Sequence, residues 1–187
     1  MMPLVFLLEE PSMQVFLETY LPLCFNTLHF RCIPHEGKSD LEKSIPRKLK
    51  SWNEPFFIIV RDNDGSDCNV LKQRLLHICR SAGRPDSKVR IVCQALEAWY
   101  LGVPAVVAEE YQCEGILKFF RKPKNVDPDT IREPDKLLQR LIPEFRKLEG
   151  AERIGKRMPT DFSKNNSHSF RVFMKTIDDL QNIVKGV

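Results

Sequence analysis

The stretch FFIIVRDNDGSDC, residues 56–68, decides the fold, because five apolar residues run directly into an arginine and three closely spaced aspartates. A short, continuously apolar run is typical of a strand in a parallel sheet that helices cover on both faces. Residues two apart in an extended chain point the same way, so Asp62 and Asp64 are expected to project together from the strand end. Two carboxylates held that close repel each other unless a cation lies between them. The stretch therefore predicts a buried strand that ends in a cation site.

The first hundred residues alternate between short apolar runs and longer amphipathic segments, which is typical of strands and helices in turn. The predicted strands cover residues 4–8, 28–33, 56–60 and 89–93. The predicted helices run from an N-cap at Ser12 to about Leu21, from Ser39 or Asp40 to Leu49, and from a cap at Asp67 over residues 70–82. Pro46 is expected to kink or restart the second helix. The predicted fold class is α/β, a Rossmann-like parallel sheet of about four strands with helices on both faces.

The second half of the chain differs, because no strand-like run follows Trp99. Helical spacing covers residues 134–148 and 169–184, whereas residues 118–131 and 149–166 are rich in Pro, Lys, Arg and Asn and are predicted as loops. We therefore expect an α/β core over residues 1–101 and a helical extension over residues 102–187 packed on it. Trp99 and Tyr100 are expected to pack at the junction rather than to stack on bases.

Composition narrows the class of protein. The 187 residues are 42% hydrophobic and 29% charged, with a mean hydropathy of −0.31, as in a globular chain with one core. No window approaches the length of a membrane helix. The six cysteines form no CxxC pair, and the apolar start of the chain has neither a basic flank nor a cleavage site, so we expect reduced thiols and a cytoplasmic location. The net charge of +4 leans mildly toward anionic partners such as nucleic acid.

The first predicted strand also ends in acid, at Glu9 and Glu10. Functional crevices of parallel α/β sheets lie at the carboxyl ends of the strands, so the two acidic tips converge if strands one and three are neighbours. Ligand sets made only of oxygen favour Mg²⁺ or Mn²⁺, and zinc is excluded because no His/Cys cluster has ligand spacing. Asp67 is either a further metal ligand or simply the N-cap of its helix.

These residues resemble the Toprim catalytic fold, shared by topoisomerases, primases, recombination proteins and nucleases of the overcoming-lysogenization-defect type. The mark of that fold is a glutamate after the first strand and Asp-x-Asp after the third, here in LLEEPS and VRDND. More closely, the chain resembles a widespread bacterial family of Toprim-like domains of unknown function. That resemblance rests on EEPSM, PHEGKSDLEKSIPRKL, RDNDGSDC with Lys72, LEAWYLG, GAERIG and NNSHSF, and it runs over nearly the whole chain.

The resemblance implies a nuclease that uses Mg²⁺ or Mn²⁺ on DNA or RNA, with Glu9 as general acid or base and as a metal-site residue, beside the ligands Asp62 and Asp64. By analogy with family members, it also implies phage defence with an ABC-type or AAA-type ATPase partner. Many Toprim enzymes have a glycine after the glutamate, whereas this chain has Glu10, whose side chain could crowd a scissile phosphate. The alternative is a noncatalytic metal-binding or protein-interaction module of the same fold.

Two further segments offer candidates near the predicted site. Glu97, in ALEAWYLG, either acts in catalysis, as the resemblance implies, or only favours the dipole of its helix. The loop PHEGKSD is a basic, glycine-bearing entry to a helix and suits an anion. It makes Lys38 a candidate for catalysis and substrate binding and His35 a candidate for substrate binding, and the alternative for His35 is an exposed turn histidine.

The remaining substrate-binding candidates are basic or hydroxylic. Arg61 and Lys72 either neutralise the acidic tip, meet a phosphate or form surface ion pairs. The run KFFRKPKN, residues 118–125, interleaves two aromatic with four basic residues, as grooves for single-stranded nucleic acid do, although such runs are also ordinary solvated faces. Arg153, in RIGKRMP, is a candidate substrate contact. Ser169 is another, or it shares with Asn166 and Ser167 the role of capping the last helix.

Overall fold

Four parallel strands form one sheet in residues 4–53 and 56–185, the part of the chain that the computed structural model describes. The order across the sheet is β2-β1-β3-β4. Its strands are β1 (Leu4–Leu8), β2 (Phe30–Pro34), β3 (Phe56–Asp62) and β4 (Lys88–Val92). The predicted α/β class with a parallel four-stranded sheet is therefore confirmed.

Helices follow each strand and fill the second half of the chain. Those within the described residues are α1 (Pro11–Cys24), α2 (Lys38–Ser51), α3 (Cys68–Ser81), α4 (Leu96–Leu101), α5 (Pro104–Glu110), α6 (Glu114–Phe120), α7 (Pro134–Leu141), α8 (Lys147–Gly155) and α9 (His168–Lys185). Short 3₁₀ turns cover Pro123–Asn125, Pro128–Thr130 and Phe162–Lys164. None of the described helices is long and apolar enough to cross a membrane.

The alternation of side chains along the strands creates two apolar layers. On β1, Phe6 and Leu8 pack with α1 and with the helices of the second half, whereas Val5 and Leu7 pack with α2 and α3. The Phe6 ring lies 6.1 Å from that of Phe173 on α9. The helical second half therefore packs on the sheet. The division into a core over residues 1–101 and an extension over residues 102–187 stays a prediction.

Several helix boundaries differ from those predicted. The helix expected over residues 134–148 is two helices, α7 and α8, because Pro143 has no amide hydrogen to continue the ladder. Residues 149–166, expected as a loop, include most of α8, and residues 118–131 begin inside α6. Helix α1 begins at Pro11, with Glu10 in the N-cap position and Ser12 inside the helix. Helix α2 runs through Pro46 without restarting.

The connectivity of the sheet places a switch point beside the acidic strand ends. Because β1 lies between β2 and β3, the chain leaves β1 toward one edge of the sheet and later returns to its other side. Ligands of open α/β sheets bind at such a point, outside the carboxyl ends of the strands. The pairing of Leu8 with Val60 brings Glu9 and Asp62 to this position.

Candidate functional site

A cleft of about 640 Å³ opens at the carboxyl ends of β1 and β3. We call it the acidic cleft. It is lined by Glu9, Glu10, Asp62, Asp64, Gly65, Gln94, Ala95, Arg132, Glu133, Pro134, Asp135 and Lys147. The two acidic tips therefore share one site, and the Asp62 amide donates a hydrogen bond to Glu9 Oε2 at 3.1 Å.

Arg61 is the internal counter-cation of the acidic cleft. Its side chain is only 4% exposed, and Nη1 lies 2.8 Å from Glu9 Oε2 and 3.3 Å from Asp64 Oδ2. The same nitrogen donates to the Asp62 carbonyl, while Nε makes no hydrogen bond to any described residue and lies 3.8 Å from Glu42 Oε1. Arg61 thus neutralises part of the acidic tip, which is one of the roles open to it from the sequence.

Asp62 carries the charge that Arg61 does not balance. The residue is 9% exposed, and its carboxylate accepts no hydrogen bond and forms no ion pair within residues 4–53 and 56–185. Burial raises the pKa of Asp62 well above its ordinary value, and the negative charges of Glu9, Glu10, Glu97 and Asp64 raise it further. A buried carboxylate without donors is costly unless a cation or a proton compensates it. Asp62 is therefore the point of the cleft that most needs a cation.

Glu9 and Glu10 are held in different ways. Glu9 accepts hydrogen bonds from Arg61 and from the Asp62 amide, yet burial still raises its pKa. Glu10 Oε1 accepts a hydrogen bond from Ser12 Oγ at 2.5 Å, and Oε2 lies 3.7 Å from Lys147 Nζ. Both carboxylates line the cleft, but only Glu9 is fixed to the end of β3.

Glu97 and Lys147 form a second pair at the edge of the cleft. Glu97, 1% exposed in the first turn of α4, has Oε1 3.7 Å from Lys147 Nζ, while its Oε2 has no hydrogen-bond partner among the described residues. Burial raises the pKa of Glu97 to about 7. For Lys147, burial opposes the charged form, but the attraction of Glu97 and Glu10 outweighs it and raises the pKa. Lys147 is thus a cation that faces the cleft and is held by two carboxylates.

The backbone around the cleft is strained. Asp64, Gln94 and Glu133 line the cleft and have φ angles of 47°, 67° and 51°, in the left-handed region that side chains other than glycine rarely adopt. Asn63 connects the loop after β3 to the loop after β4, because its Oδ1 accepts a hydrogen bond from the Gln94 amide at 2.6 Å. Such strain persists where surrounding contacts enforce it, and it clusters at functional sites.

The donor chemistry fits a hard cation, but not a cage made only of protein ligands. Within residues 4–53 and 56–185, no group of three or more His, Cys, Asp or Glu side chains lies close enough together to hold a metal ion. Mg²⁺ commonly takes one or two carboxylates and completes its coordination with water and substrate phosphates. Asp62, together with Glu9 or Glu10, matches that smaller requirement.

Comparison with family models matches residues 8–178 to a domain of unknown function, DUF4276. The chain belongs to this family. The DUF4276 match includes every acidic residue of the cleft. Comparison with curated proteins gave no match, and neither did comparison with solved structures. The DUF4276 description assigns no activity, so function has to be argued from the cleft.

Two residues that the sequence offered as site candidates, Asp67 as a metal ligand and His35 as a substrate contact, have structural roles in this DUF4276 chain. Asp67 caps α3, with Oδ1 accepting from the amides of Asn69 and Val70 at 2.8 and 2.9 Å, and it does not line the acidic cleft. His35 is buried rather than an exposed turn residue. Its Nδ1 lies 2.8 Å from the Leu8 carbonyl and its Nε2 2.5 Å from Ser44 Oγ, so it has no free nitrogen for a substrate.

Burial lowers the pKa of His35, which favours a neutral ring. In the matching tautomer Nδ1–H donates to the Leu8 carbonyl, and the Ser44 hydroxyl shares its hydrogen between Nε2 and the Leu41 carbonyl, which lies 2.9 Å from Oγ. This arrangement ties the end of β2 to the end of β1, directly before Glu9. Lys38, by contrast, is exposed at the start of α2, with Nζ 3.4 Å from Asp64 Oδ2 at the rim of the site.

Two of the substrate-binding candidates, Lys72 and Arg153, lie away from the acidic cleft. Lys72 is half-buried on α3, and its side chain makes no hydrogen bond or ion pair with the described residues. Arg153 on α8 pairs with Glu110 at 2.7 Å and with Glu149 at 2.9 Å. Neither residue lines the acidic cleft.

Ser169 joins the helical half to the sheet instead of facing the cleft. Its Oγ accepts hydrogen bonds from Trp99 Nε1 at 2.9 Å and from the Cys93 amide at 3.3 Å, and its own amide donates to Asp129 Oδ2 at 2.7 Å. Ser167 Oγ accepts from the Phe170 amide at 3.1 Å and so caps α9. Trp99 and Tyr100 are buried in the core, as expected.

Sequence reasoning missed the residues that close the cleft from the helical half. These residues are Arg132, Glu133, Asp135 and Lys147. Their signal in the sequence is only the high charge density of REPDK, residues 132–136, and of FRKLE, residues 145–149. Nothing in the spacing of those segments says that they lie over the end of β3.

Proposed function

We propose that this protein is a divalent-metal-dependent nuclease that hydrolyses phosphodiester bonds of DNA or RNA in the acidic cleft. The observation that carries the proposal is the Asp62 carboxylate, buried without a partner at the switch point of a parallel sheet and next to Glu9. A site that concentrates negative charge in this way recruits a cation, and a cation in turn recruits phosphate.

Asp62, with Glu9 or Glu10, would hold Mg²⁺ or Mn²⁺. When bound, the ion would neutralise the phosphate and generate or orient a nucleophilic water at neutral pH. Asp64 lies at the rim between Arg61 and Lys38, at 3.3 and 3.4 Å, where it orients those cations and adds to the negative field.

The other residues of the cleft supply proton transfer and phosphate contact. Burial raises the pKa of Glu9 above its ordinary value, which is the direction that suits a general acid or base, and Arg61 fixes its orientation. Lys147 presents a positive charge to the cleft for a phosphate oxygen. Glu97 acts through Lys147 as a positioning residue, because its buried Oε1 lies 3.7 Å from the Lys147 ammonium.

The Toprim relationship is part of this proposal. Glutamate after β1 and two aspartates at the end of β3 support it, because they occupy neighbouring strand ends of one parallel sheet. A cytoplasmic location is supported by the six cysteines, all free. An ABC-type or AAA-type ATPase partner in phage defence rests on analogy with the family that the sequence resembles.

A noncatalytic metal-binding or interaction module is the second candidate, and two observations favour it. Arg61 already pairs with Glu9 and Asp64, and no group of three metal-ligating side chains occurs within residues 4–53 and 56–185. In that case the cleft would bind a cation weakly and present it to a partner, and no phosphodiester bond would be hydrolysed.

The test is cleavage of labelled single-stranded DNA, duplex DNA, plasmid and tRNA with Mg²⁺ or Mn²⁺. We expect Asp62→Asn to reduce the rate by about 100-fold or more, since it removes a ligand carboxylate while keeping the side-chain shape. Asp67→Asn is the matched control, because asparagine caps a helix as well as aspartate and the residue lies outside the cleft. Its cleavage rate should equal that of the parent protein.

Calorimetry with Mg²⁺ separates the two candidate functions. Asp62→Asn should abolish binding of the ion, whereas Glu9→Gln should keep much of it while losing cleavage, because it removes the proton-transfer group. Metal binding without cleavage of any substrate would support the noncatalytic module. Unchanged Mg²⁺ affinity in Asp62→Asn would refute the cation site itself.

A further inference from the structure

A second groove, of about 310 Å³, lies next to the acidic cleft on the helical half of the molecule. We call it the α6–α7 groove. It is lined by Phe119, Ile131, Arg132, Glu133, Lys136, Leu137 and Arg140. Its lining combines three apolar residues with three basic residues and one acidic residue, so its charge is opposite to that of the cleft.

The basic side chains of the groove are spaced at regular intervals. Arg132, Lys136 and Arg140 follow each other at four-residue steps, which places the last two on one face of α7 about 6 Å apart along its axis. Lys136 pairs with Glu133, whereas the guanidinium groups of Arg132 and Arg140 form no ion pair or hydrogen bond within residues 4–53 and 56–185. Two free cations on an open surface therefore remain for an anionic ligand.

An aromatic ring lies beside these cations. Phe119, near the end of α6, is half-buried, and its ring packs edge-on against Phe120 with 5.3 Å between centroids. The exposed Arg121 and Lys122 follow at once in the chain. Basic residues that alternate with an accessible aromatic ring are the arrangement by which proteins bind single strands, whose unpaired bases can stack.

The two sites are continuous, because Arg132 and Glu133 line both of them. A chain of phosphates bound by Arg140 and Arg132 would therefore lead directly to Lys147 and Asp62. We infer that the α6–α7 groove binds a single-stranded segment of nucleic acid and guides it into the acidic cleft. This inference deepens the proposed nuclease function and rests on it for the identity of the ligand.

The test is fluorescence anisotropy of a labelled oligothymidine, measured in EDTA so that no cleavage occurs. We expect Arg132→Ala/Arg140→Ala to weaken binding about tenfold or more at low salt. Because a single strand releases about 0.7 counterion for each phosphate contact, the slope of log K against log salt should fall by about 1.4 in magnitude. Arg80→Ala is the matched control. Arg80 is an exposed arginine on α3, on the other face of the sheet, and its side chain has no hydrogen-bond or ion-pair partner among the described residues, so binding by this variant should equal that of the parent.

Phe119→Leu separates stacking from charge. It keeps an apolar side chain and removes the ring, so binding should weaken about tenfold while the salt slope stays unchanged. A melting curve for each variant checks that the fold is intact. Parent-like binding by both groove variants would refute the inference, and so would equal affinity for a duplex of the same length or equally strong competition by polyglutamate.

Two outcomes distinguish this inference from the nuclease proposal. If groove variants lose oligothymidine binding but the parent cleaves nothing with Mg²⁺ or Mn²⁺, the groove is a binding site and the nuclease proposal fails. If the parent cleaves DNA and the groove variants bind and cleave as well as it does, the nuclease stands and the groove assignment is wrong.

Discussion

Two clusters of charged residues in this molecule differ in whether each charge has an oppositely charged partner. The first is the acidic cleft. The second, which we call the α5–α8 cluster, comprises Glu109, Glu110, Glu149, Arg153 and Arg157. In the α5–α8 cluster every residue has an oppositely charged partner, at 2.6 to 3.1 Å. In the acidic cleft Asp62 has none among the described residues, although it is more deeply buried than either arginine of the cluster.

The difference shows which charges are available to a ligand. Mutually paired, mostly exposed side chains such as those of the α5–α8 cluster contribute little to stability, and each of them already has an opposite charge beside it. A buried, unbalanced carboxylate lowers stability in the absence of a cation, and it is expected where a ligand supplies the missing charge. Arg153, which its sequence context offered as a substrate contact, therefore belongs to the balanced cluster and Asp62 to the unbalanced site.

The largest expected effect compares the two kinds of arginine. Arg61→Met should lower the free energy of unfolding by about 3–5 kcal/mol, because it leaves the Glu9 carboxylate buried without its cation. Arg153→Met should lower it by less than about 1 kcal/mol, because its ion pairs are partly exposed. Urea unfolding of both variants at neutral pH measures the two losses. Equal losses of unfolding free energy would mean that the acidic cleft depends on Arg61 no more than the α5–α8 cluster depends on Arg153.

The next effect has the opposite sign. Asp62→Asn should raise the free energy of unfolding of the metal-free protein by about 1–3 kcal/mol, because it removes a buried charge that has no donor. Urea unfolding in EDTA measures the gain. Adding Mg²⁺ should then stabilise the parent and not the variant, since only a ligand that binds the folded state shifts the equilibrium. A metal-free variant less stable than the parent would contradict the account of Asp62 as unbalanced.

The pH dependence of stability follows from Glu97. Burial raises its pKa from 4.5 to about 7, so between those pH values the folded state binds more protons than the unfolded state. Stability of the metal-free protein should therefore fall as pH rises through this window, by up to roughly 1.4 kcal/mol for each pH unit from this residue. The raised pKa of Asp62 acts in the same direction.

Glu97→Gln tests the source of that slope. The variant should show a flatter dependence of unfolding free energy on pH between about 4.5 and 7, because it has no carboxyl group to titrate. Glu152→Gln is the control, since Glu152 is exposed on α8 and pairs with Lys156. Two results would contradict a raised pKa for Glu97: stability that rises with pH in the parent, or a pH slope that Glu97→Gln leaves unchanged.

The sheet and its acidic tips were predictable from the sequence, because both follow from local rules. Short apolar strands require helices on both faces, and residues after parallel strands share one end of the sheet. The closing residues Arg132 and Lys147 were not predictable, because amphipathic spacing shows which face of a helix is buried but not what its polar face meets. The break between α7 and α8 at Pro143 is local, but it was hidden by apolar residues at helical spacing on both sides.

His35 shows the same limit for a single residue. The sequence PHEGKSD is typical of an exposed turn. Burial of the His35 ring depends on two hydrogen-bond partners that lie outside this turn. One is the Leu8 carbonyl on the neighbouring strand, and the other is the Ser44 hydroxyl two turns into α2. Only the pairing of β1 with β2 brings the first of them within 2.8 Å.

Asp67 gives the smallest effect, and it tests whether a carboxylate close to the cleft in sequence belongs to it. Asp67→Ala should lower the free energy of unfolding by about 1 kcal/mol, because it removes the acceptor for the amides of Asn69 and Val70. Asp67→Asn should restore that stability, and neither variant should change Mg²⁺ affinity by calorimetry. A loss of Mg²⁺ affinity in both variants would place Asp67 among the ligands, whereas a loss of stability in the alanine variant alone assigns its charge to the helix. In that outcome Asp67 resembles the paired residues of the α5–α8 cluster, and Asp62 is distinguished from it by the lack of a donor rather than by its sequence neighbourhood.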